Sequence, residues 1–179
     1  MKITAIANLS ANGKVLLAEN TNHQAPKAGE EFFIQKVVQA GNIILGRKTF
    51  EVIQQLAGGE TNIKHIFPNV EVVVLSSSNN ISRKYKVAGN IDEAIQHLQD
   101  KGFNEIIVGG GTNIYNSFLD KNLVTDVFFN VVPVITGGGG VIGINDQLFN
   151  TYQLTEHQLL DGGIVQLHLT RSTGLSDAL

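Results

Sequence analysis

Two periods of hydrophobicity alternate along the chain. Residues 2–9, 42–45, 70–75 and 105–108 are short, nearly continuous runs of apolar and branched side chains, the pattern of strands buried on both faces. Between them, apolar residues recur at helical spacing: Phe33, Val37 and Ala40 with Ile34 and Val38 beside them, then Val52, Ile53 and Leu56, then Ile91, Ala94, Ile95 and Leu98. Breakers and caps agree with these periods. The first helix is expected to open at Glu30 and end at Gly41, and the second to follow Gly46-Arg47-Lys48-Thr49 and end at Gly58-Gly59. The third is capped by Asn90, carries Glu93 in its first turn and stops at Gly102. A fourth is predicted over about residues 112–119, with Thr112 as its cap. Asn12-Gly13, followed by the apolar residues 15–17, suits a tight turn or hairpin. After a long apolar run over residues 124–135, residues 149–160 and 164–169 flank Asp161-Gly162-Gly163 and predict a terminal antiparallel hairpin. Strands alternating with helices imply an α/β fold, a mostly parallel sheet covered on both faces with the hairpin at its edge.

In such a sheet ligands bind beyond the carboxyl ends of the strands, and three strand ends carry suitable chemistry. Residues 105–108 run into Gly109-Gly110-Gly111, which allow a close backbone approach, and the free N–H groups of the turn through Thr112 and Asn113 suit a phosphate. Gly46-Arg47-Lys48-Thr49 is a second strand-to-helix turn bearing two cations, and the Arg47 guanidinium can grip a 2′-phosphate through paired hydrogen bonds. Ser76-Ser77-Ser78 offers hydroxyls for a ribose or phosphate. Together the three ends read as a nucleotide site. Neither familiar phosphate motif describes it. In residues 41–49 the middle, Ile43-Ile44-Leu45, is strand, and Arg47 stands where a P-loop has lysine. A Rossmann turn would need glycine at Ile114 and an acid near Val131. Glu30 and Glu31 lie beside Phe32 and Phe33, so one of them is a candidate for a carboxylate in an apolar pocket with a raised pKa. As first-turn acids they would equally complement the helix dipole. Residues 18–29 before them are polar and unpatterned, a length expected of a functional lid.

Composition narrows the ligand class. The 179 residues fit one domain spanning 1–179, and with 42% hydrophobic and 16% charged residues the chain reads as a soluble globular protein. No apolar run approaches the roughly 20 residues of a membrane span. The sequence enters a strand pattern at once, with no secretory leader, and holds no cysteine, so a cytoplasmic location is expected. A net charge of −3 with unclustered basic residues argues against nucleic acid and for a small-molecule partner. The five histidines make no metal-binding spacing.

Several of these runs resemble known reductases. Ile44-Leu45-Gly46-Arg47-Lys48-Thr49-Phe50-Glu51 resembles the Gly-Arg-Lys-Thr-aromatic-Glu turn of dihydrofolate reductases, and Val74-Leu75-Ser76-Ser77 resembles their adenine-side strand end. Val108-Gly109-Gly110-Gly111-Thr112, Leu123-Val124-Thr125-Asp126 and Val132-Pro133-Val134-Ile135-Thr136-Gly137-Gly138-Gly139 are closer to the reductase domain of the riboflavin-biosynthesis deaminase-reductase. So is Ser10-Ala11-Asn12-Gly13-Lys14-Val15, with Asn12 where that domain has aspartate. The resemblance implies a three-layer fold of the dihydrofolate reductase type with about eight strands. It also implies NADPH as cofactor and hydride transfer to a heterocycle, either the ribosylamino-pyrimidine of riboflavin synthesis or the pterin of dihydrofolate. Under it, Gly46 introduces Arg47, Lys48 and Thr49 at the 2′-phosphate and pyrophosphate, and Ser76 and Ser77 take the adenosine end. Gly109, Gly110, Gly111, Thr112, Asn113 and Ile114 take the pyrophosphate and nicotinamide side. Counting back from Gly46 puts Glu30 at the substrate-binding acid, and a slip of one residue would choose Glu31. The chain has no tryptophan, unlike most dihydrofolate reductases in the loop over residues 18–29, and the glycine run at 137–140 is foreign to them. Without cysteine it cannot carry the zinc of the deaminase half. A nucleotide-binding protein without turnover is the alternative from another class.

A homodimer is also expected. Phe128, Phe129, Val131, Val132 and Val134, with Leu154, Leu159, Leu160, Ile164 and Val165, are too apolar for strands facing water. Either these strands are interior or a second copy covers them, and the riboflavin-type domain pairs through its sheet.

Overall fold

The computed structural model describes residues 1–16, 26–78 and 81–172, so residues 18–25 of the expected lid and Asn79-Asn80 lie outside the described residues. The continuous apolar runs form the strands. In chain order the elements are β1 (Lys2–Ser10), β2 (Lys14–Val15), α1 (Lys27–Ala40), β3 (Asn42–Gly46), α2 (Arg47–Leu56), α3 (Ile63–Ile66), β4 (Glu71–Leu75), β5 (Lys86–Ala88) and α4 (Ile91–Asp100). They continue as β6 (Glu105–Val108), α5 (Thr112–Asp120), β7 (Asp126–Val132), β8 (Gly140–Val141), β9 (Tyr152–Leu160) and β10 (Ile164–Arg171). The main sheet runs β5-β4-β3-β6-β1-β7-β10-β9, parallel from β5 to β7 and antiparallel through β10 and β9. β2 folds back on β1, pairing Leu9 with Val15, and carries β8 on its other side.

Alternation within the apolar runs makes the three layers. Ile3, Ala5, Ile44, Val73, Ile106 and Val108 pack with Ala94 and Leu98 of α4 and Phe118 of α5. Their neighbours Ile6, Ile43, Leu45, Val72, Val74 and Ile107 pack with Val37 of α1 and Phe50 of α2. Each fully buried aliphatic side chain contributes about 1.5–3 kcal/mol, so the sheet's register is pinned from both faces.

Several boundaries differ from expectation, each for a local reason. α1 begins at Lys27, three residues before Glu30, because Pro26 sits at the N-cap with a φ of −59° already suited to helix entry. It ends, as expected, at Gly41 in the left-handed region, φ 73°. Thr112 does not cap α5: Gly111 holds the N-cap position without a side-chain hydrogen bond, and Thr112 is the first helical residue. Asn90 does cap α4, its side chain accepting from the Glu93 N–H at 2.9 Å. β7 stops at Val132 because Pro133 has no N–H to donate to the ladder, and Val134 and Ile135 beyond it are exposed. β7 is itself interior, between β1 and β10, which accounts for its apolar character within one chain. The edge strand at this end of the sheet is β9, where seven consecutive residues are exposed. Among the described residues no helix is long and apolar enough to cross a membrane.

Candidate active site

The carboxyl ends of β3 and β6 are stitched together. The Gly109 N–H donates to the Ile44 carbonyl at 3.0 Å, and the Gly46 N–H donates to the Gly110 carbonyl at 2.7 Å. This closeness needs residues without side chains. A Cβ at Gly109 would lie 2.9 Å from Ile43 Cγ1, and one at Gly46 would lie 2.8 Å from Ile114 Cγ1. Gly110 has a φ of 114°, and the Gly110–Gly111 peptide is cis. These glycines let the ends of β3 and β6 approach each other closely, and Gly109 and Gly111 also line the cavities beside the junction.

Two cavities open on either side of this junction. The first, about 360 Å³, is lined by Arg47, Lys48, Thr49, Leu75, Ser76, Ser77, Gly111, Thr112, Asn113 and Ile114. All three predicted strand ends meet there. Of the predicted cofactor residues, Gly46, Gly109 and Gly110 form the junction behind it and do not line it. Helices α2 and α5 both begin at its wall, so unpaired N–H groups and the positive ends of two helix dipoles face it. The Thr112 hydroxyl is buried against Gly140 and has no hydrogen-bond partner among the described residues. The free N–H groups of the two first helical turns, beside two cations, fit the oxygen atoms of a phosphate. Arg47 pairs with Glu51 at 3.0 Å, but both side chains are nearly half exposed, and such a pair is worth only about 0.3–0.5 kcal/mol. The guanidinium therefore stays available. Ser76 Oγ accepts from the Ser78 N–H at 3.0 Å, shaping the turn after β4.

The second cavity, about 320 Å³, is walled by Leu16, Phe33, Ile34, Ile53, Leu56, Ile66 and Phe67, with Ile6, Asn8, Val15, Glu30, Thr49, Gly109 and Tyr115 completing it. Its polar side chains are Asn8, Glu30, Thr49 and the Tyr115 hydroxyl. The two glutamates face differently along α1. Glu31 points outward, its side chain 64% exposed and paired with Lys27 at 3.3 Å, whereas Glu30 lines the cavity. Partial burial of the Glu30 carboxyl against the apolar wall raises its pKa above the ordinary carboxylate value, although the residue remains open to solvent on its outer side. Tyr115 is fully enclosed, donates its hydroxyl to the Ile6 carbonyl at 2.5 Å and is kept protonated by burial. Thr49 lines both cavities, and its Oγ1 would stand 3.1 Å from a Cβ at Gly111. Asn8 was not among the predicted residues. Its one sequence signal is an amide inside the mostly apolar run of β1.

Residues 1–166 match the RibD C-terminal domain family. The chain belongs to that family. As a RibD C-terminal domain it also resembles a curated relative, the dihydrofolate reductase type 15 of Escherichia coli, at 31% identity over 121 residues, 68% of this chain and 69% of that protein. Among solved structures, the putative riboflavin biosynthesis protein of Shewanella sp. PV-4 superposes with a TM-score of 0.69 at 17% identity, covering 96% of this chain and 99% of that one. A pyrimidine reductase-like protein of Corynebacterium diphtheriae does so with a TM-score of 0.70 at 14% identity, covering 97% and 92%. These two likenesses establish a shared fold. Family and curated relative together mark this RibD C-terminal domain as a reductase.

Proposed function

We propose that the chain is an NADPH-dependent reductase of a heterocyclic substrate, most like the reductase that acts on 5-amino-6-(5-phosphoribosylamino)uracil. The observation that carries this reading is the meeting of a cationic, hydroxyl-lined cavity and an apolar, acid-bearing cavity at Thr49. Arg47 and Lys48 would hold the 2′-phosphate, the α2 and α5 N-termini with Thr112 the pyrophosphate, and Ser76 and Ser77 the adenosine end. When bound, NADPH supplies the hydride. The chain's own part is to orient and to exclude water. Phe33, Ile34, Ile53 and Phe67 shield the seated ring, and Glu30, whose pKa partial burial raises, hydrogen-bonds its edge. Dihydrofolate reduction is the second reading, favoured by the Glu30 position and by the 31% identical relative. Steady-state NADPH oxidation against each substrate tests both. Turnover with neither substrate, alongside tight NADPH binding, would replace them with a nucleotide-binding protein lacking catalysis.

A further inference from the structure

Four side-chain amides cross the sheet in a single row. Asn8 of β1, Asn130 of β7, Gln166 of β10 and Gln158 of β9 are direct cross-strand partners. Gln158 Nε2 donates to Gln166 Oε1 at 2.6 Å, Gln166 Nε2 to Asn130 Oδ1 at 2.7 Å, and Asn130 Nδ2 to Asn8 Oδ1 at 2.8 Å. All three bonds run one way, from the exposed edge strand to the wall of the apolar cavity. Asn130 and Gln166 are 0% and 3% exposed, and each accepts from one neighbour and donates to the other. Turning one amide over would set amino group against amino group and carbonyl against carbonyl, so each member holds the next in orientation.

The ladder ends in a directed donor. Asn8 Oδ1 is committed to Asn130 and is roofed by α1 so closely that a Cβ at Gly29 would lie 2.5 Å from it. Asn8 Nδ2 donates to nothing among the described residues, and Asn8 lines the cavity that also holds Glu30. A fixed N–H donor in an apolar wall discriminates strongly, because a ligand offering another N–H at that point leaves both donors unpaired and desolvated. No lysine or arginine lines this cavity among the described residues, so recognition of the seated ring falls to hydrogen bonds.

We propose that Asn8 is a specificity-determining residue of the substrate site, its amide held donor-inward by Asn130, Gln166 and Gln158, reading a carbonyl oxygen or unprotonated ring nitrogen on an uncharged heterocycle. The inference rests on the reading of this cavity as the heterocycle site. Asn8 touches the ligand, whereas Gln166 acts only through Asn130 and Asn8 as a positioning residue.

The experiment uses the full chain, with pterin and lumazine, two pteridines that share a ring carbonyl, as probes. Calorimetric titration gives affinities with and without NADPH, and side-chain amide resonances are followed in uniformly labelled wild type. The Asn8 side-chain NH₂ pair is expected to shift on binding. Asn8→Asp, which keeps the acceptor for Asn130 and removes the donor, is expected to weaken binding by about tenfold. Gln166→Met is expected to weaken it by about threefold, and the double variant to be no weaker than Asn8→Asp alone. An Asn8 NH₂ pair that does not move when a probe binds overturns the proposal without recourse to any variant, as does Asn8→Asp binding within twofold of wild type. Additive losses in the double variant overturn the role of the ladder. If wild type binds neither pteridine, the heterocycle reading falls and this inference with it; if wild type binds but the Asn8 tests fail, only this inference falls.

Discussion

One methyl group added at Gly140 should loosen the polar cavity from behind. An ideal Cβ there would sit 2.6 Å from Thr112 Cγ2 and 2.7 Å from Thr112 Cβ, and it would also strike Oγ1. Rotating Thr112 about χ1 moves Cγ2 and Oγ1 but leaves Cβ in place, so the clash persists. Either β8 or the first turn of α5 must shift. Forcing a methyl group into packed surroundings costs about 1–3 kcal/mol. At roughly 2–4 °C per kcal/mol for a chain of this size, the thermal midpoint should fall by about 2–12 °C. The damage should also be local. Thr112 lines the polar cavity at the first turn of α5, so displacing its backbone N–H should lower NADPH affinity by about threefold to tenfold, the worth of one hydrogen bond. Gly137, in the same glycine run, is the matched control, since nothing lies within 4 Å of a Cβ there. Gly137→Ala should stay within about 0.5 kcal/mol of wild type. Differential scanning calorimetry and NADPH titration of the two variants measure both effects. Equal midpoints and equal affinities for Gly140→Ala and Gly137→Ala would refute the reasoning.

Arg47→Ala should reduce the preference for NADPH over NADH by roughly tenfold to a hundredfold, the worth of a charge-assisted bidentate contact, while leaving NADH affinity little changed; equal losses for both cofactors would remove Arg47 from the 2′-phosphate. Burial raises the Glu30 pKa, so its protonated form persists to higher pH than an ordinary glutamate, and turnover that needs the proton should decline as pH rises through that raised value. Glu30→Gln should lower turnover and abolish that limb of the pH profile while NADPH binding persists, and Glu31→Gln, at the outward-facing position, should do neither. The sign for stability follows: ionising a carboxyl whose folded pKa is raised costs folding energy as pH climbs from the unfolded to the folded value, so Glu30→Gln should gain stability relative to wild type across that window in pH-dependent melting. For assembly we propose a homodimer. Leu159 and Val165, 74% and 42% exposed, form one cross-strand row with Val131, and an isologous pair through this face would bury on the order of 1,600 Å². Light scattering at low micromolar concentration should give about twice 19.3 kDa, and a mass near 19.3 kDa would refute it.

What the sequence by itself determined was whatever depends on neighbours along the chain. The buried strands, the Asn90 cap, the Gly41 stop and the terminal hairpin are set by local periodicity and by single residues with restricted backbones, and they appear where the pattern puts them. The nine predicted residues that line the polar cavity were legible for a related reason. Parallel strands all end at the same rim, so turn residues after β3, β4 and β6 must be neighbours whatever their register. Distances across the chain belonged to the tertiary structure. That Gly46, Gly109 and Gly110 pack against Ile114, Ile43 and Tyr115, with Gly109 also in the wall of the apolar cavity, is visible only in the folded chain. The place of β7 in the sheet is open until β10 is found paired beside it, which leaves β9 as the edge at that end. Glu30 and Glu31 are adjacent in sequence and both acidic, and only the rotation of α1 against the sheet sends one to the cavity and the other to Lys27. Asn8 acquires its meaning from partners 122, 158 and 150 positions away, because a hydrogen-bonded row across four strands exists only once the sheet's register has aligned them.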